Sequence, residues 1–240
     1  MSPNCEEKDM LIDNYNEVRK NIDEAAKRVG RNPEEITLVA VSKTKPLEDI
    51  EELRAEGVME FGENKPQELK EKYDNISAPV HFHQIGHLQT NKVKYVINRA
   101  VLIHSLDSIK LAEAIEKEAA KNDKIAEVLV EVNYAEEDSK FGITKETAAG
   151  FIKEVAKNFP HIKIKGLMTI APFVEDPEEN RPVFRGMKQL LLDIISENID
   201  NVDMNVLSMG MTNDYIVAVE EGATMVRVGT AIFGERNYAI

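Results

Sequence analysis

Two lysines, Lys43 and Lys45, stand two residues apart at the carboxyl end of the apolar run Val39-Ala40-Val41-Ser42, just before a helical pattern opens at Leu47. In α/β proteins the carboxyl ends of strands carry the chemistry. Side chains two apart on an extended strand share a face, so each ammonium disfavours its neighbour's charge. One of the pair is thereby disposed to the neutral amine that attacks an aldehyde. The plain alternative is a pair of solvated lysines at a strand end.

Near the other terminus lie two apolar runs that end in glycine beside a hydroxyl residue: Leu207-Ser208-Met209-Gly210-Met211-Thr212-Asn213-Asp214 and Val226-Arg227-Val228-Gly229-Thr230. Such loops turn backbone N–H groups and hydroxyls toward an anion. Ser208, Gly210 and Met211 are the expected donors of the first loop, and Gly229 and Thr230 those of the second. Ordinary turn and capping chemistry explains either loop alone. Arg227 sits inside the run Met225-Val226-Arg227-Val228, where a guanidinium needs either an anion or a structural ion pair, because burial without one is costly.

The segments AVSKTKP, FGEN, IGHLQTNK, KFGI, GLMTIAP, LSMGMTNDY and VRVGTAIFG, in that order along the chain, resemble those of the pyridoxal-phosphate homeostasis protein family, itself similar to the barrel domain of alanine racemase. The resemblance implies a fold-type III barrel that binds pyridoxal 5′-phosphate, with Lys43 as the Schiff-base lysine. It also implies Asn64 and Met168 beside the cofactor, Arg227 against the pyridine nitrogen, and the two glycine loops around the phosphate. Lys45 is then expected to assist as a neighbouring charge or transient acceptor. Phe82-His83-Gln84 departs from the family's usual Trp-His-Phe, and Thr212 stands where serine is usual, keeping the hydroxyl.

The elements that must position these residues are legible from periodicity. Leu11, Ile12, Tyr15, Val18, Ile22, Ala25, Ala26 and Val29 recur at helical spacing and stop at Gly30. Strand-like runs follow at 36–42, 58–62, 80–86, 101–105, 127–133, 163–169, 205–208 and 224–228, with helical patterns between them, for example 47–56, 108–121, 145–158 and 178–197. Strict alternation implies parallel strands, and eight units in 240 residues predict one (β/α)₈ TIM-barrel domain preceded by an extra helix. An open doubly wound sheet usually shows a glycine-rich first βα turn, and Ser42-Lys43-Thr44-Lys45-Pro46 has none.

The formal net charge of −13 argues against a broad nucleic-acid surface. No apolar run is long enough to span a bilayer, and the start Cys5-Glu6-Glu7-Lys8-Asp9 lacks the order of a secretory signal, so a soluble, cytoplasmic protein is expected; a monomer is expected as well. The single cysteine, Cys5, is given no role. A rival site is His81-Phe82-His83, an H-x-H pattern at a strand end, but the remaining strand ends offer no further histidine and one offers Arg227, so no metal is expected. A racemase needs acid/base groups on both faces of its substrate, and Lys43 serves one. The expectation is therefore a protein that stores or delivers the cofactor, possible recipients being apo pyridoxal-phosphate enzymes, with a racemase-like enzyme as the alternative.

Overall fold

The computed structural model describes residues 3–137 and 141–235, with side chains from residue 10 onward. Lys140 of the KFGI segment and the side chain of Cys5 lie outside that description. Among the described residues, helix α1 (Pro3–Arg28) precedes eight strands: β1 (Thr37–Val41), β2 (Glu60–Glu63), β3 (His81–Gln84), β4 (Ala100–Leu106), β5 (Ala126–Glu131), β6 (Ile162–Met168), β7 (Val202–Ser208) and β8 (Met225–Val228). Between and after them run α2 (Leu47–Ala55), α3 (Pro66–Asn75), α4 (Val93–Val96), α5 (Ile109–Lys121), α6 (Ala148–Asn158), α7 (Arg181–Ser196), α8 (Tyr215–Glu220) and α9 (Thr230–Phe233). The strands pair in parallel in chain order, and β8 returns to β1 with Leu38 opposite Val226, closing the barrel.

Period-two alternation builds two cores. Leu38 and Ala40 of β1 pack outward with the helices, as do Ile50 and Leu53 of α2 and Phe184 and Leu191 of α7. Val39 points to the barrel axis, where it meets Leu102, Leu129, Met168 and Met225. Full burial of each such side chain contributes about 1.5–3 kcal/mol. On α1 the buried residues Val18, Ile22, Ala25 and Ala26 form one stripe, and the helix lies on α2, α8 and α9. Gly166 sits at a register shift between β6 and β7, at φ +153; a Cβ there would fall 1.8 Å from the carbonyl oxygen of Val206. Only a residue without a side chain permits that approach.

The largest departures from the sequence expectation are at strand ends. β1 stops at Val41, and Ser42 to Lys45 form a turn in which the Lys45 N–H donates to the Ser42 carbonyl at 3.0 Å and Thr44 takes φ +65. Lys43 and Lys45 therefore do not share a strand face, because the extended geometry that would align them ends two residues earlier. β7 begins at Val202, opposite Ile164, rather than at 205; in its polar first half Asp203 and Asn205 are not buried, and Asp203 Oδ2 accepts from Lys165 Nζ at 2.7 Å.

Candidate functional site

The turn carrying Lys43 is held from below by a buried ammonium. Lys72, on α3 and 6% exposed, donates to the Ser42 carbonyl at 2.7 Å, to Glu63 Oε1 at 2.7 Å and to Glu68 Oε1 at 2.8 Å. Glu68 Oε1 also accepts the N–H of Thr44 at 2.6 Å, and Ser42 Oγ donates to Glu63 Oε1 at 2.6 Å. The peptide units on both sides of Lys43 are thus bonded to one charged cluster, which fixes the left-handed Thr44. Burial pushes the Glu63 carboxyl up to about 7 against the pull of Lys72. Lys45 is occupied elsewhere: its ammonium donates to the carbonyls of Phe233 at 2.6 Å and Glu235 at 3.2 Å, at the end of α9.

Arg227 is 4% exposed and donates Nη1 to Ser208 Oγ at 2.6 Å and Nη2 to the Thr169 carbonyl at 2.9 Å. Burial lowers its pKa to about 10, partly offset by Glu131 and Asp214, so it stays charged at neutral pH. From Ser208 a hydrogen-bonded chain crosses the barrel: Ser208 Oγ to His104 Nδ1 at 3.1 Å, His104 Nε2 to His83 Nδ1 at 3.0 Å, His83 Nε2 to Glu60 Oε2 at 2.7 Å, and Glu60 Oε1 to His81 Nδ1 at 2.6 Å. Burial holds His104 neutral, well below the usual histidine range, with the charges of His83 and Arg227 acting the same way. Burial also works against the Glu60 carboxylate, but hydrogen bonds from His83 and His81 outweigh it and hold its pKa below the ordinary value. One direction of donation, from the guanidinium through Ser208, His104 and His83 to Glu60, satisfies every member. His81 and His83 are therefore joined to Glu60, and among the described residues no cluster of His, Cys, Asp and Glu is placed to hold a metal ion.

At the carboxyl ends of the strands opens a cavity of about 630 Å³, within the range of small-molecule sites. Its wall is formed by Lys43 and Lys45 after β1, Asn64 after β2, His87 after β3, Met211 and Thr212 after β7, and Gly229 and Thr230 after β8, with Arg227 and Glu131 completing it. Six of the nine residues expected from the sequence are brought together here: Lys43, Asn64, Met211, Arg227, Gly229 and Thr230. Met168, Ser208 and Gly210 are not on the wall. Met168 is fully buried in the axial core. Ser208 Oγ serves Arg227 and His104, and Gly210, at φ +91, lets the loop pass within reach of α8, where a Cβ would lie 2.5 Å from that of Ala218. Met211 lines the cavity, but its N–H is taken by Asp214 Oδ1 at 2.7 Å, so it is not a free donor. In α9 the Gly229 carbonyl accepts from Ile232 and Phe233 at 2.9 Å; the preceding N–H groups of such a turn have no partner within the helix.

Thr212 and Glu131 also line the wall and were not among the nine expected site residues. Thr212, whose Oγ1 accepts from the Gly229 N–H at 3.4 Å, ties the two loops together; its hydroxyl in the loop motif was the available signal. Glu131 ends the apolar strand β5, is 5% exposed, and has its Oε2 without a hydrogen-bond partner among the described residues. Burial and the charge of Asp107 push its carboxyl up to about 7, against the pull of Arg227. A second cleft of about 670 Å³ is lined by Glu48, Glu51, Glu52 and Glu56 with a few apolar side chains, and has no cation for an anionic ligand.

The parallel barrel with a lysine after β1, an arginine on β8 and hydroxyl-bearing glycine loops after β7 and β8 defines the alanine racemase barrel class; the sequence matches the family described as Alanine racemase, N-terminal domain, over residues 14–237. Clostridium difficile alanine racemase shares the fold at a TM-score of 0.73 and 18% identity, covering 96% of this chain and 58% of its own. Within that class the chain belongs to the pyridoxal phosphate homeostasis protein family. The protein of that name from Aquifex aeolicus is 44% identical over 222 residues, 92% of this chain and 96% of the relative. The one from Escherichia coli K12 is 36% identical over 95% of this chain and 98% of its own. PipY of Synechococcus elongatus, solved with PLP bound, superposes at a TM-score of 0.77 with 30% identity, covering 89% of this chain and 100% of that one.

Proposed function

We propose that this protein binds pyridoxal 5′-phosphate in the barrel mouth and holds it covalently through Lys43 as a Schiff base, serving in the cytoplasm to buffer and deliver the cofactor rather than to catalyse robustly. The observation that carries this reading is the convergence of Lys43, Arg227 and the hydroxyl-bearing loops on one 630 Å³ cavity in a protein of net charge −13. A local cationic site against an acidic background suits a small anion. When bound, the cofactor supplies an aldehyde that condenses with a primary amine, releasing one water. Lys43 presents that amine on a turn fixed by Lys72 and Glu68, whereas Lys45 is committed to backbone carbonyls. Thr230 and Thr212, with the first N–H groups of α9, suit the phosphate. Arg227, a donor locked by Ser208 and Thr169, offers the ring no base to hold a proton on its nitrogen, which favours storage over carbanion chemistry.

The test is to load the purified protein, reduce with borohydride and map the adduct. Label on the peptide containing Lys43 is expected; label mainly on Lys45 overturns the assignment. The loaded protein, mixed with an apo pyridoxal-phosphate enzyme and a trap for free cofactor, should restore activity. Turnover of any D- or L-amino acid well above that of free cofactor, abolished by Lys43→Ala, would replace this reading with a racemase-like enzyme.

A further inference from the structure

We propose that Glu131 is a ligand-contacting residue: in its protonated form it donates a hydrogen bond from its carboxyl to an acceptor atom on the ring of the bound aromatic ligand. The inference rests on the cofactor reading above and adds to it a residue and a proton. Three observations carry it. Glu131 lies on the wall of the cavity at the end of β5, it is almost wholly buried, and its Oε2 has no hydrogen-bond partner among the described residues, whereas the buried polar atoms of Arg227, Ser208, His104 and Thr169 are bonded to one another. A carboxyl so placed needs either a ligand atom or ordered water to complete it.

The choice of the protonated form follows from the surroundings. Asp107, after β4, faces Glu131 with like charge, and Arg227 on β8 with opposite charge. Asp107 is itself shared with His87 Nδ1 at 3.4 Å, His104 on β4 is neutral, and the adjoining end of β6 contributes Met168 and Thr169, which do not titrate. Burial dominates, so with a pKa of about 7 the free site holds this proton for much of the time at neutral pH. The phenolic oxygen of the proposed ligand is an acceptor when unprotonated, and an acid donor suits it where a carboxylate would repel. A bound acceptor stabilises the protonated carboxyl further, so at pH above 7 binding must take a proton from solvent, and affinity must fall as pH rises.

The test is a pair of calorimetric titrations of pyridoxal 5′-phosphate into wild type and Glu131→Gln at about pH 8, each in two buffers of different ionisation enthalpy, with Kd followed from about pH 6.5 to about pH 8.5. Wild type should take up close to one proton more than the variant, and its Kd should rise relative to that of the variant by up to about tenfold per pH unit above 7. Should the variant fail to fold, wild type alone decides: its infrared difference spectrum on ligand addition at about pH 8 must gain a protonated-carboxyl band. Parallel pH profiles with equal proton uptake, or no such band, overturn the role of Glu131 while leaving the cofactor reading intact. Absence of binding by wild type fails that reading first and the Glu131 contact with it.

Discussion

Replacing Lys72 by methionine removes the ammonium that anchors the Lys43 turn while keeping the length and apolar stem of the side chain. Three acceptors lose a charged donor at once, the Ser42 carbonyl, Glu63 Oε1 and Glu68 Oε1, each keeping only a neutral one, from Lys45 N–H, Ser42 Oγ and Thr44 N–H, and Glu63 is 0% exposed with its Oε2 lacking a hydrogen-bond partner among the described residues. Breaking a buried pair by deleting one member costs about 3–5 kcal/mol. In a chain of this size each 1 kcal/mol moves the melting temperature by about 2–4 °C, so a fall of about 6–20 °C is expected. The loss depends on pH. With Lys72 in place the Glu63 carboxyl sits at about 7; without it the pKa rises higher still, and the folded state keeps a proton that the unfolded chain releases. More protons bound in the folded state mean that stability falls with rising pH, here by about 1.4 kcal/mol per unit above 7, where wild type has levelled off. Below pH 7 the carboxyl is protonated in both proteins and the difference is smallest. Urea unfolding at about pH 6 and about pH 8.5 measures this directly, and adding Glu63→Gln to the variant should recover part of the loss and abolish the extra pH slope. A loss under about 1 kcal/mol at both pH values would refute the account of the turn.

Glu131→Gln should stabilise the ligand-free protein: its carboxyl is raised from 4.5 to about 7 on folding, so stability drains away between those pH values and the variant should gain up to about 3 kcal/mol by pH 8, read as a denaturation midpoint that rises relative to wild type from about pH 5 upward. Thr230→Val should weaken pyridoxal 5′-phosphate binding by about 1–3 kcal/mol with little change in melting temperature, measured by fluorescence titration; an unchanged Kd would remove Thr230 from the anion site. Ser208→Ala should do the reverse of a simple phosphate ligand, lowering the melting temperature because Arg227 and His104 lose their shared hydroxyl, and a Kd effect with intact stability would contradict its position behind the wall. Gly166→Ala should yield little folded protein in an expression and circular-dichroism comparison, since its Cβ would need to displace the Val206 backbone; a normally stable variant would disprove that clash.

Much of the barrel was legible because its signals are local. Alternation of strand-like and helix-like patterns depends on residues within a few positions of one another, as does the stop at Gly30 that ends α1, and eight such units leave few topologies once parallel pairing is required. The strand-end lysine, the arginine in an apolar strand and the glycine-hydroxyl loops were likewise readable, because in this fold every strand delivers its carboxyl end to one mouth. What each side chain does there was decided by partners far away in the chain. Ser208 and Gly210 read as phosphate donors; the tertiary structure adds a contact of Ser208 with His104, 104 residues away, and sets Gly210 against Ala218. Lys43 and Lys45 looked like a mutually perturbed pair until the turn bonded by Lys72 set them apart. Glu131 lay inside the strand-like run 127–133 with nothing to single it out, and only closure of the barrel buried it opposite Asp107 and Arg227. Backbone periodicity is written within a few residues, whereas desolvation, charge pairing and hydrogen-bond satisfaction depend on distances between atoms that only the closed barrel brings together.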